Sequence, residues 1–125
     1  MKWRSINFLW IIIFVLAIVL CGNFSYAAQE TTVQKILANR DSYDGQEVSV
    51  SGTVSKLKLK TSKGGNDYTT FSLLSESGGS LTIFVWGQSK LKQGQKVKVT
   101  GTYRKFKRVG RYTFYNEIEA TEIET

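Results

Sequence analysis

Phe84 and Trp86 stand two residues apart in the run Leu81-Thr82-Ile83-Phe84-Val85-Trp86. In a strand, that spacing puts both on one face with Thr82, while Leu81, Ile83 and Val85 take the other. If the three aliphatic residues fill a core, two large aromatic rings point outward. Tyr68, Thr70 and Ser72 offer the corresponding face of a neighbouring strand. Exposed rings of this kind stack on bases or sugars, and a stacked base contributes about 1–3 kcal/mol. The competing use is burial of Phe84 and Trp86 beneath an amino-terminal helix or a loop.

The second chemical feature is cationic. Lys56, Lys58, Lys60 and Lys63 follow one another along one predicted strand and its turn, and Arg104, Lys105, Lys107, Arg108 and Arg111 fill a later segment. Such clusters suit a polyanion, because each cation set against a phosphate releases a counterion. The competing account is that lysines at loop tips and strand edges resist aggregation. Lys90, Lys92, Lys96 and Lys98 read as a solvated face. Tyr103, Phe106, Tyr112, Phe114 and Tyr115 interleave with the second cluster. Tyr112 and Phe114 share one strand phase and Tyr115 the other, so some are core and Tyr115 is a candidate for stacking. Cross-strand packing explains the same residues equally well. Glu117 and Glu119 also share a face, and paired carboxylates can hold a metal or act as acid and base. No other ligand cluster accompanies them, so they read as like charges on an exposed strand.

Composition narrows the chemistry. The chain contains no His and one Cys, Cys21. There is no imidazole base or imidazole metal ligand. Acid–base work would fall to carboxylates, Lys or Tyr. A non-enzymatic binding protein without metal or cofactor is therefore expected. The net charge of +7 favours an anionic partner, although it also serves solubility.

The elements that must position these residues begin with a leader. Lys2 and Arg4 precede the apolar run Leu9–Leu20, and Ser25-Tyr26-Ala27 places small residues where a signal peptidase reads. A signal peptide over residues 1–27, cut before Ala28, is expected, giving a periplasmic or secreted protein. A retained membrane anchor is the alternative. Against it, Phe8–Cys21 is 14 residues, short of the ~20 that span a bilayer. Lipid attachment at Cys21 is a third option, disfavoured by Leu20 where a small residue is usual. Cleavage would leave Lys and Arg in excess of Asp and Glu, with no disulfide possible.

Residues 28–125 read as one domain. Val33, Ile36 and Leu37 have the spacing of one helical face, with Thr31 or Thr32 as cap, ending before the turn signal Asp44-Gly45. This short helix is expected to cover one end of a barrel. Five strands follow within residues 47–124: 47–60, 68–74, 81–86, 95–103 and 112–123. In the first, the apolar phase moves from Val48, Val50 and Val54 to Leu57 and Leu59, which predicts a bulge. Gly52 and Gly101 mark bends. Residues 104–111 read as a basic hairpin loop. Short strands at regular spacing indicate a small all-β barrel or sandwich.

The segments Val48-Ser49-Val50-Ser51-Gly52-Thr53-Val54, Tyr68-Thr69-Thr70-Phe71-Ser72-Leu73, Leu81-Thr82-Ile83-Phe84-Val85 and Gly94-Gln95-Lys96-Val97-Lys98-Val99-Thr100-Gly101 resemble the OB-fold domain of the tRNA-anticodon-binding and helicase type. The resemblance rests on strand pattern and glycine placement. It implies a five-stranded Greek-key barrel that binds single-stranded nucleic acid, with Phe84 and Trp86 where that family stacks bases. The two basic segments would then flank the groove. The family offers no invariant catalytic group. The leader departs from it, because exported OB proteins form a separate periplasmic family linked to stress tolerance. Two functions follow. One is an exported OB module for single-stranded nucleic acid or a similar polyanion. The other is an envelope or stress interaction module for a protein, glycan or small ligand.

Overall fold

A computed structural model describes residues 27–125, so the leader reading and Cys21 lie outside the described residues. The elements are β1 (Gln29–Thr31), α1 (Val33–Ala38), α2 (Arg40–Tyr43), β2 (Glu47–Thr61), β3 (Asp67–Leu74), β4 (Ser80–Trp86), β5 (Lys96–Val109) and β6 (Tyr112–Glu124). They form a six-stranded sheet in the order β1-β2-β3-β4-β6-β5, and β5 returns to pair with β2. Strands β2 to β6 thus close on themselves as the all-β, five-stranded OB barrel.

Strand β2 makes the closure possible. Its first half, Glu47–Thr53, pairs antiparallel with β5, and its second half, Thr53–Thr61, pairs with β3. The register slips between Ser55 and Lys58, where Lys56 takes a left-handed backbone (φ 52°). This is the predicted bulge. It changes which side chains face inward and bends the strand around the barrel.

The core is built from alternate residues of every barrel strand: Val48, Val50 and Val54; Phe71 and Leu73; Leu81 and Ile83; Val97, Val99 and Tyr103; and Ile118. Val85, expected inward, is only half-buried. It pairs with Thr69, one residue before the end of β4 at Trp86. Helix α1 adds Val33 and Ile36 to the core. Thr32 caps it, its hydroxyl accepting from the Lys35 N–H at 3.2 Å. Leu37 and Val33 lie against Gly79 in the β3–β4 turn, so α1 does cover one end of the barrel.

Two features differ from the sequence reading. The polar lead Gln29–Thr31 is a strand, parallel to Val48–Val50 of β2. It occupies the edge of β2 left free where β3 ends opposite Thr53. The basic loop 104–111 is not a loop: β5 runs on to Val109 and β6 begins at Tyr112, so only Gly110 and Arg111 turn the chain. The pairing of Arg104–Val109 with Tyr112–Glu117 makes this basic segment a strand that its turn-like composition had obscured.

Gly101 is required by contact. A Cβ there would sit 2.1 Å from the Glu119 carbonyl oxygen, where β5 and β6 cross a register shift. Substituting Gly101→Ala is expected to lower the unfolding free energy by about 1–3 kcal/mol, the usual range for overpacking. Gly64→Ala, with nothing nearer than 3.8 Å, should stay within about 0.5 kcal/mol of the parent. Urea unfolding of both variants checks the pair.

Candidate functional site

With Phe71, Leu73, Leu81, Ile83 and Ile118 turned into the core, their neighbours form an outer face organised in transverse rows. Lys60 pairs with Tyr68, and Tyr68 with Trp86. Lys58 pairs with Thr70, Thr70 with Phe84, and Phe84 with Glu119. Ser72 pairs with Thr82, and Thr82 with Glu117. Cations, hydroxyls, rings and carboxylates therefore succeed one another across the sheet.

Tyr68, Phe84 and Trp86 form one aromatic cluster. The Phe84 centroid lies 5.1 Å from Tyr68 and 5.0 Å from Trp86, with the Trp86 ring perpendicular to it. Tyr68 and Trp86 meet edge to face at 6.0 Å. Phe84 is half-buried within the cluster, whereas Trp86 is 63% exposed. Cover by the amino-terminal helix does not occur at Trp86, because α1 lies against the β3–β4 turn at the other end of β4. An open hollow of about 490 Å³ beside Trp86 is lined by Asn66, Asp67, Gly87 and Gln88. Asp67 accepts from the Thr61 hydroxyl at 2.8 Å and the Gln88 amide at 2.9 Å, and these bonds hold its carboxyl below the usual range. The rim of the hollow is thereby fixed.

The β2 lysines reach the same face. Lys56, Lys58 and Lys60 line a groove of about 160 Å³ with Thr70, Ser72 and Thr82. Lys63 is exposed in the β2–β3 turn. Among the described residues, none of these four lysines forms an ion pair, nor do Arg104, Arg108 and Arg111.

Lys105 and Lys107 behave differently. Lys105 donates to Asp41 of α2 at 2.5 Å, and its backbone N–H donates to Asp44 at 2.9 Å. It is a strut between hairpin and helix, turned away from the aromatic cluster. The Lys107 ammonium lies 5.2 Å from the Phe84 centroid and 3.7 Å from Glu117, and it contacts Glu119 directly. One cation thus bridges the ring and both carboxylates. Lys98, read as solvated, instead ties β5 to β1 through Glu30 at 2.7 Å.

Glu117 and Glu119 are the residues whose place the sequence reading missed. Glu117 is only 4% exposed, and Glu119 is half-buried. Burial pushes the Glu117 carboxyl up; the nearby Lys107 charge opposes this and Glu119 adds to it. Their alternate spacing was visible, but the parallel β4–β6 pairing that sets them beside Thr82 and Phe84 was not. Tyr115, predicted to stack, is 67% exposed but lies on the β5–β6 hairpin opposite Phe106, outside the Tyr68–Phe84–Trp86 cluster. Phe106, Tyr112 and Phe114 are also exposed, and Tyr103 alone of the five hairpin aromatics is core.

Comparison with protein-family profiles gives no match, and comparison with curated proteins gives none either. Among solved structures, the crystal structure of yeast Stn1 and Ten1 is similar, with a TM-score of 0.62 at 14% identity. The match covers 81% of this chain and 64% of that one, so the chain spans just under two thirds of its length. At this identity the likeness establishes the fold, in agreement with the closed barrel order.

Glu117 has a consequence for pH dependence. An acid whose pKa rises on folding binds its proton more tightly in the folded state. Its contribution to stability is full below the ordinary Glu value of 4.5 and is lost as pH rises through the folded value. Glu117→Gln mimics the protonated acid at every pH. Its melting temperature relative to the parent should therefore increase from about pH 4 to about pH 8, as followed by circular dichroism.

Proposed function

We propose that this protein is a non-enzymatic OB-fold binding module for single-stranded nucleic acid or a chemically similar polyanion. The observation that carries the reading is the register of the outer face. An exposed Trp86, packed on Phe84 and Tyr68, stands in line with the lysines of β2, which form no ion pair among the described residues. Rings stack a base while adjacent ammonium groups meet the phosphates that flank it. The hydroxyls of Thr70, Ser72 and Thr82 lie between them and supply donors and acceptors that do not depend on base identity.

The roles divide accordingly. Trp86 is the open stacking surface, with Tyr68 and Phe84 fixing its ring. Lys56, Lys58 and Lys60 line the anion path, Lys63 extends it around the turn, and Arg104 stands opposite Glu117 at its far side. Lys107 has its charge engaged by two carboxylates and acts on the platform by holding Phe84. The likeness to the tRNA-anticodon and helicase type of OB domain supports the same ligand class. Export through the residue 1–27 leader is part of the proposal and places the module in the periplasm or outside the cell.

Fluorescence anisotropy of a labelled single-stranded oligonucleotide tests the reading. Binding should weaken with salt, the logarithmic slope being about −0.7 per phosphate neutralised. Trp86→Ala should weaken binding about tenfold or more, the equivalent of one lost stack. Lys58→Ala should reduce the salt slope by about one contact. No binding at low salt would overturn the proposal and leave the envelope interaction module as the better account.

A further inference from the structure

Beyond Tyr103 the β5–β6 hairpin leaves the barrel, and from Arg104 to Val109 β5 pairs only with β6. This arm carries Phe106, Val109, Tyr112, Phe114 and Tyr115, each at least 44% exposed. Phe106 lies opposite Tyr115, Lys107 opposite Phe114, and Val109 opposite Tyr112. Successive register positions alternate in face. Phe106 and Tyr115 therefore project from one face, and Val109, Tyr112 and Phe114 from the other. A partner surface covers one face of a two-stranded ribbon, whereas a medium that surrounds the tip covers both. The composition matches the water–lipid interface, where amphipathic rings settle and long cationic side chains reach the headgroups. Arg108 and Arg111 are unpaired among the described residues, and the Arg111 guanidinium lies 5.8 Å over the Tyr112 ring.

The path of the chain adds an independent argument. Strand β1 is parallel to β2 and β2 antiparallel to β5, with Gln29 level with Val48 and Val48 with Gly101. Going upstream from Thr31 to Gln29 is therefore going toward the base of the hairpin arm. The sequence before Gln29 holds the apolar run Leu9–Leu20. Leu20 to Gln29 is nine residues, at most about 30 Å of extended chain. Gly101 to Val109 is eight residues, about 27 Å of strand. Where the leader is retained as an anchor, the alternative to its cleavage, the apolar run and the hairpin tip can reach one and the same membrane plane.

We propose that the tip of the β5–β6 hairpin docks on an anionic phospholipid surface, with its rings at headgroup depth and Arg108 and Arg111 against lipid phosphates. This goes beyond the nucleic-acid reading, which uses Tyr68, Phe84, Trp86, the lysines of β2 and its turn, and Arg104 and Lys107 nearer the root of the arm, but not its tip.

The test uses the full chain carrying Cys21→Ser and Val109→Cys, with a polarity-sensitive dye on the new thiol. Vesicles of phosphatidylcholine with phosphatidylserine should shift the emission to the blue and raise it severalfold over vesicles of phosphatidylcholine alone. Reversal of charge in the double variant Arg108→Glu/Arg111→Glu should remove most of that difference. Both changes are at exposed sites, and circular dichroism verifies the fold. Equal emission with both lipids, or a response indifferent to the charge reversal, would overturn the proposal. So would a response to oligonucleotide or to protein concentration in place of vesicles, which would assign the arm to the nucleic-acid groove or to a second copy. Trp86→Ala should leave the lipid response unchanged, so loss of lipid docking and loss of nucleic-acid binding are separately visible.

Discussion

The two halves of β2 belong to different sides of the barrel, and the bulge at Lys56 sets which side chains of the second half face outward. Before the bulge, Val48, Val50 and Val54 face the core while the backbone pairs with β5. The pairing with β3 begins at Thr53 and continues past the bulge to Thr61, and Lys56, Lys58 and Lys60 line a groove on the outer face. Without the register slip the alternation would continue unchanged, and the cations would fall out of line with Tyr68 and Phe84. The composition of the binding face is thus a consequence of one irregular residue in the strand that also closes the sheet. The parallel β4–β6 pairing completes the effect by bringing β6 carboxylates beside the β4 rings.

Those carboxylates explain why the face is not uniformly basic. An unpaired ammonium over Phe84 would be an obstacle to any base entering there. Glu117 and Glu119 hold Lys107 in one place and offset its charge. Burial makes Glu117 costly to ionise, so Lys107 in turn makes its charged form tolerable. The result is a half-buried, charge-compensated Phe84 beside an open Trp86. The cluster therefore has a rigid inner ring and an accessible outer one, with free cations beginning a strand away at β2.

Much of this was legible in sequence, and the failures have identifiable causes. Strand periodicity exposed the core of β3, β4 and β5, and the phase change from Val54 to Leu57 exposed the bulge. Phe84 and Trp86 were found because alternation assigns faces directly. Strand β1 was missed because Gln29-Glu30-Thr31 is short and polar; its strand conformation comes from the free edge of β2, which is a tertiary fact. Residues 104–111 were read as a loop because Lys and Arg dominate them; their strand conformation comes from pairing with β6 up to Val109 and Tyr112. The burial of Glu117 was hidden for another reason. Local sequence shows a run of acids, and only the β4–β6 pairing reveals the neighbours that enclose one of them.

Strand β5 passes through three environments in a short distance, and its cations change role with each. Tyr103 is fully buried, its hydroxyl donating to Asn116 at 2.7 Å and its backbone bonded to Gly45 and Gln46. The next inward turn of the strand reaches Lys105, whose ion pair with Asp41 is exposed and contributes little by itself. What fixes the arm there is the bond from the Lys105 backbone N–H to Asp44, added to the packing of Tyr103. Lys107 then ties the arm to the binding face, and beyond it Arg108 and Arg111 are held by no described acid. A basic segment that looks homogeneous in sequence is therefore graded in space. Its root anchors the hairpin through Lys105, its middle compensates the platform through Lys107, and its tip retains Arg108 and Arg111, held by no acid among the described residues. Direction is imposed at the root, so the exposed rings at the tip keep a defined heading relative to the barrel and to the chain entering at β1.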